Sequence, residues 1–180
     1  MSFISAAPSG GSGGAPLPAY FISPAARGLL RGAGQGGNFS VGICFAFLNA
    51  CTWTGVRFGA VYAGTKTWKA RAYDLTAAAA LASATSPPLA SGTNDVLFGA
   101  PVAIPNAGHV YVASIYDTSG VMFVGFAGVV GPDNWTAGNG VLLGPDVYLI
   151  DASYFAAGDS QPVGGGSSAR MAVEPIFTVP

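Results

Sequence analysis

Phe39-Ser-Val-Gly-Ile-Cys-Phe-Ala-Phe47 alternates in steps of two, with Phe39, Val41, Ile43, Phe45 and Phe47 on one side and small residues on the other. Successive side chains of a β-strand point to opposite faces, so this pattern describes a strand with one aromatic and β-branched face turned to a core. The text downstream repeats the theme. Residues 53–62 predict a second strand and 67–73 a third, followed by 96–104, 109–116, 121–130, 147–150 and 171–179. Clusters of Gly, Pro, Asn and Asp separate them, as turns require. Many short strands at this spacing predict an all-β protein, an antiparallel sandwich or barrel.

One segment pulls the other way. Residues 74–84 hold Leu75, Leu81 and a run of alanines, the best helix formers, behind Asp74 as a ready N-cap. At about three turns, propensity alone does not hold a helix. The strand-rich context instead predicts a turn and then a strand through 81–85.

Residues 1–37 form a Gly, Ser, Pro and Ala arm that precedes a domain spanning 38–180. Its apolar islands are Leu17, Tyr20, Phe21 and Ile22, then Leu29 and Leu30. The glycine-rich run 32–37 holds no regular element cheaply. Such an arm is either a floppy leader or an assembly arm that docks those six side chains on a neighbouring subunit.

Composition narrows the function. Of 180 residues, only seven are basic and eight acidic, 8 % of the chain, and the net charge is −1. A soluble domain usually carries about 25 % charged residues. Scattered basic residues argue against a nucleic-acid partner, and 51 % apolar residues argue against disorder. No apolar run approaches the roughly 20 residues of a spanning helix, so no membrane is expected. The first basic residue is Arg27, so no signal peptide is expected either. Cys44 and Cys51 lack zinc spacing. A cross-link between neighbouring strands is one option, but a cytoplasmic product favours two reduced structural thiols.

Several motifs then recur in a recognisable order. They are Thr54-Gly-Val-Arg-Phe58, Trp68-Lys-Ala-Arg-Ala-Tyr-Asp74, Leu81-Ala-Ser-Ala-Thr-Ser86 and Val96-Leu-Phe-Gly-Ala-Pro-Val-Ala-Ile104. Ala107-Gly-His-Val-Tyr-Val-Ala-Ser114, Gly138-Asn-Gly-Val141 and Met171-Ala-Val-Glu-Pro-Ile-Phe-Thr-Val179 complete the series. This order resembles the domain of unknown function 4082 family over residues 38–180. The resemblance implies an antiparallel jelly-roll-type β-sandwich of phage and bacterial surface proteins, with carbohydrate binding suspected and no catalytic residues to carry over. The chain departs from the family pattern at 93–96, where a tryptophan is missing. It departs again at 172–175, where Ala-Val-Glu-Pro replaces an aspartate-bearing strand.

Matched positions also have local readings. Gly55 and Gly120 are expected to supply turn conformations ahead of strands. Pro101 and Pro105 mark 102–104 as an edge strand or strand start. Val110, Val112 and Ser114 share one face of a strand, and Tyr111, Ala113 and Ile115 the other. Both faces are fairly apolar, so the outer one is expected to be covered, as a second subunit would do.

Candidate chemistry is thin. His109, the sole histidine, stands in no nucleophile motif and reads as a turn or surface residue. Asp74, Asp95, Asp117, Asp133, Asp146, Asp151, Asp159 and Glu174 mostly neighbour Gly, Ser, Asn or Pro, so turn duty is expected over glycoside hydrolysis. Asp146 and Asp151 lack the dense acidic text of a calcium loop, and no G-K-[ST] follows the glycine runs. No metal and no cofactor are expected. Of the aromatics, Trp135, Tyr116 and Trp68 are the candidates for stacking on a sugar, against a core role for large aromatics.

These readings combine into an expectation of a non-enzymatic structural protein of a phage-like virion, made in the host cytoplasm. The favoured version is a capsid decoration protein that binds the major capsid protein or other virion subunits and forms a homo-oligomer. The alternative is a glycan-binding adhesion module of a tail spike, fibre or cell surface. Sparse charge fits a surface that is buried on assembly.

Overall fold

The computed structural model describes residues 34–36, 39–105, 108–117, 121–123, 141–142, 147–156, 164–166 and 173–180. The arm side chains Leu17, Tyr20, Phe21, Ile22, Leu29 and Leu30 lie outside the described residues, as do Trp135 and Gly120. Among the described residues, twelve strands follow in order: Gly34–Gly36 (β1), Phe39–Phe47 (β2), Cys51–Lys66 (β3), Trp68–Asp74 (β4), Ala79–Thr85 (β5), Leu89–Ile104 (β6), Tyr111–Asp117 (β7), Val121–Phe123 (β8), Val141–Leu142 (β9), Val147–Ala156 (β10), Gly164–Gly166 (β11) and Val173–Thr178 (β12).

The protein is an all-β antiparallel sandwich. One layer runs β11-β10-β2-β7-β4-β5, with β9 beside β10; the other runs β12-β3-β6. The chain crosses between layers repeatedly, so β2-β7-β4-β5 lies against β12-β3-β6 in the interleaved order of a jelly roll. A separate pair joins β1 to β8, Gly34 opposite Phe123 and Gly36 opposite Val121. Glycine entropy alone argues against order there, and cross-strand pairing overrides it.

Alternation builds the core. Ile43, Phe45 and Phe47 from β2 meet Trp53, Val56 and Phe58 from β3, Phe98 from β6, Tyr111, Ala113 and Ile115 from β7, and Val173 and Phe177 from β12. Phe45 meets Phe47 edge to face at 4.9 Å and Trp53 at 5.3 Å, and Phe47 meets Phe177 at 4.9 Å. Such pairs contribute about 0.5–1.5 kcal/mol each beyond area burial.

The alanine-rich segment is not helical. A turn at 75–78 ends on Ala78 with φ 53°, a left-handed geometry no helix continues through, and β5 follows. β6 begins at Leu89, seven residues before the expected strand, because its neutral Ser, Thr, Gly and Asn text pairs with β3. Gly55 is not a turn residue. It lies mid-strand, where an added Cβ would come within 2.6 Å of the Val96 carbonyl oxygen. Pro101 falls on edge strand β6, inside an excursion between Leu97 and Val102.

The outer face of the large layer is covered within the single chain. Val112 and Ser114 are fully buried, and Tyr73 and Val112 form a small second cluster with Cys44 and Leu75. A second subunit is therefore not needed on that face. Cys44 is on β2 and Cys51 on β3, in different layers, with no disulfide between them.

Candidate functional site

The strongest polar constellation stands at one end of the sandwich. β4 ends at Asp74 directly opposite Tyr111, the first residue of β7. This register brings the 75–78 turn against residues 108–110. Asp74 Oδ1 accepts from the Ala77 amide at 2.9 Å, and Asp74 Oδ2 lies 2.7 Å from His109 Nδ1. The Leu75 amide donates to the Val110 carbonyl at 2.8 Å, and the Val110 amide donates to Thr76 Oγ1 at 2.9 Å. The His109 ring stacks on Tyr111 with centroids 6.1 Å apart.

Asp74 thus holds a turn with one oxygen and an imidazole with the other. Burial, then the Asp74 carboxylate, then Cys51 push the Tyr111 phenol up to about 12, so it remains a neutral hydroxyl at ordinary pH. Chemically the carboxylate orients the imidazole, as in a catalytic dyad. The Thr76 hydroxyl beside it accepts a backbone bond, and the cluster acts as a staple between two loops.

Among the described residues, several further charges are directed inward or across strands. On the small layer, Arg57 Nε and Nη2 donate to the two oxygens of Asp95 at 2.6 and 2.8 Å, and Arg57 Nη1 lies 3.8 Å from Glu174 Oε1. The three side chains form a ladder across β6, β3 and β12, set by the Arg57–Asp95 and Glu174–Arg57 registers. At the opposite end, Lys66 of the small layer pairs with Asp117 of the large one. Arg71 is buried on the outer face of the large layer, donating to Ser114 Oγ at 3.1 Å and Ser40 Oγ at 3.0 Å.

The sugar-stacking candidates do not converge. Trp68 is a correction: it has 0 % exposure in the core, meets Phe58 at 4.9 Å, and donates its indole N–H to the Tyr62 hydroxyl at 3.2 Å. Its ring has no open face for a ligand. Tyr116 is half-buried on β7 and packs against the core. Trp135 lies outside the described residues. Of the carboxylates, Asp74 does serve a turn, but Asp95, Asp117, Asp151 and Glu174 lie in strands. Cross-strand pairing places these four in strands, which reverses the turn reading for them. Asp133, Asp146 and Asp159 lie outside the described residues. No group of three metal-ligating side chains occurs among the described residues.

The Asp74–His109 contact was not legible in the sequence. The two residues are 35 positions apart, and only the β4–β7 register joins them. No family model matches the chain, and no curated protein matches it.

Proposed function

We propose that the chain is a non-enzymatic structural subunit of a phage-like virion, a capsid decoration protein seated between subunits of the major capsid protein. The observation that carries this reading is the internal use of charge. Arg57, Lys66 and His109 each face an acid of the same chain. The exposed positions of residues 76–105 are Ala, Ser, Thr, Pro, Gly, Leu97 and one already paired acid, Asp95. Such a surface loses little solvation when another protein covers it, whereas stripping water from unpaired charges is costly. The resemblance of the motif order to the domain of unknown function 4082 family, read from the sequence alone, points to the phage-like setting. Use of the carboxylate–imidazole pair as a loop staple supports a non-enzymatic role.

The test is location. Quantitative mass spectrometry and labelling of purified particles should find this chain on the capsid in hundreds of copies. Absence from the particle overturns the reading. A glycan array run in parallel separates the adhesion alternative: saturable glycan binding lost in Trp135→Ala would favour it over decoration.

A further inference from the structure

One ion pair of the sandwich has the chemistry of a cross-link. Lys66 and Asp117 are the last residues of β3 and β7, so their contact ties the small layer to the large one. Register holds both ends. Lys66 stands opposite Leu89 of β6, and Asp117 stands opposite Trp68 of β4. Only Thr67 separates Lys66 from Trp68, so the corner where the chain changes layers carries the lysine onto the acid. That corner is fixed: the Trp68 amide donates to Ser86 Oγ at 2.9 Å, and the Ser86 amide donates back to the Trp68 carbonyl at 2.8 Å.

The pair is also withdrawn from water. The Asp117 side chain is 1 % exposed and that of Lys66 18 %. Trp68 is fully buried, and the Tyr62 ring, whose hydroxyl accepts the Trp68 indole N–H, lies 6.0 Å from Lys66 Nζ. Lys66 Nζ itself rests on Asp117 Oδ2. Charges held away from water lose hydration, and passing one proton from the ammonium to the carboxylate leaves two uncharged groups in contact. We propose that these side chains condense into an amide, an isopeptide bond between the two layers.

The step needs no second reactant. After the first proton transfer, the Nζ lone pair attacks Asp117 Cγ and forms the new C–N bond. A second proton passes from the nitrogen to the carboxyl hydroxyl, the C–O bond breaks, and one water leaves as the carbonyl re-forms. Fixed contact replaces high concentration, with effective molarities of about 10⁵–10⁸ M for well-oriented groups. The other pairs cannot follow this route. The Arg57 guanidinium stays protonated and is no nucleophile. An acylated His109, with its side chain 37 % exposed, would be open to hydrolysis. The bond closes a loop between positions 51 residues apart and so restricts the unfolded chain. It stands whether or not the chain is a capsid subunit.

Intact-mass spectrometry of the denatured full chain tests it. The wild type should weigh one water less than its unlinked sequence, and a protease digest should hold one branched peptide joining the segments around Lys66 and Asp117. Lys66→Arg keeps the positive charge without the nucleophile. It should restore the full mass and lose the branch, with thermal melting as the fold control. A wild type at full mass overturns the inference. So does a missing water that persists in Lys66→Arg, which would mark a cyclised aspartate instead. If the arginine variant does not fold, the branched peptide in the wild type decides by its presence or absence.

Discussion

Tyr111 shows how much one position can integrate. Its ring closes the aromatic core against Phe45, Phe47 and Trp53, while its phenol lies near the Asp74 carboxylate at the loop end. Ionising it would place a second negative charge beside a buried acid. Its pKa is raised from 10.0 to about 12, so the stabilisation is complete below pH 10 and is lost as pH rises toward 12. The melting temperature should therefore fall across that window. Spectrophotometric titration of the folded protein should show one tyrosine ionising late, and Tyr111→Phe should remove that component and flatten the fall. A Tyr111→Phe curve that matches wild type through pH 12 would refute the assignment.

Elements meet closely where side chains are missing. β2 approaches β7 at Gly42, opposite Ser114, and a Cβ built on Gly42 would lie 2.1 Å from the Ala113 carbonyl oxygen. The strands cannot keep this spacing with any larger residue. Gly42→Ala should destabilise the fold by about 2–3 kcal/mol, read as a lower urea midpoint, because backbone rather than a mobile side chain must yield. The same paragraph of sequence illustrates what alternation can and cannot show. Phe39–Phe47 and the core halves of β3, β4, β7 and β12 were legible because hydrophobic faces repeat with period two. The early half of β6 was not, since Leu89-Ala-Ser-Gly-Thr-Asn-Asp95 has turn composition and becomes a strand only by pairing with β3.

For the whole molecule, what matters is the surface left where Arg57, Lys66 and His109 each face an acid of the same chain. Among the described residues, the β5–β6 side carries one charge, Asp95, already paired with Arg57, as the proposed subunit held by neighbours requires. A protein that binds only the assembled capsid stabilises that state by mass action. Particles lacking this chain should release their contents at a lower temperature than complete ones, and adding purified protein back should restore the difference. Equal heat stability with and without it would end the cement version of the proposal. Of the site, only single residues were readable in the sequence. The Asp95–Arg57–Glu174 ladder joins positions 38 and 117 residues apart through register alone.

The sequence by itself determined an all-β chain with a core drawn from alternating aromatic and β-branched residues, because strand geometry sends every second side chain the same way. It also determined the scarcity of charge. The tertiary structure decided where that charge points. Cross-strand register put Asp95 against Arg57, Asp74 beside His109 and Trp68 inside the core, leaving the β5–β6 side neutral. Register depends on which strands become neighbours, a long-range choice that no local pattern encodes.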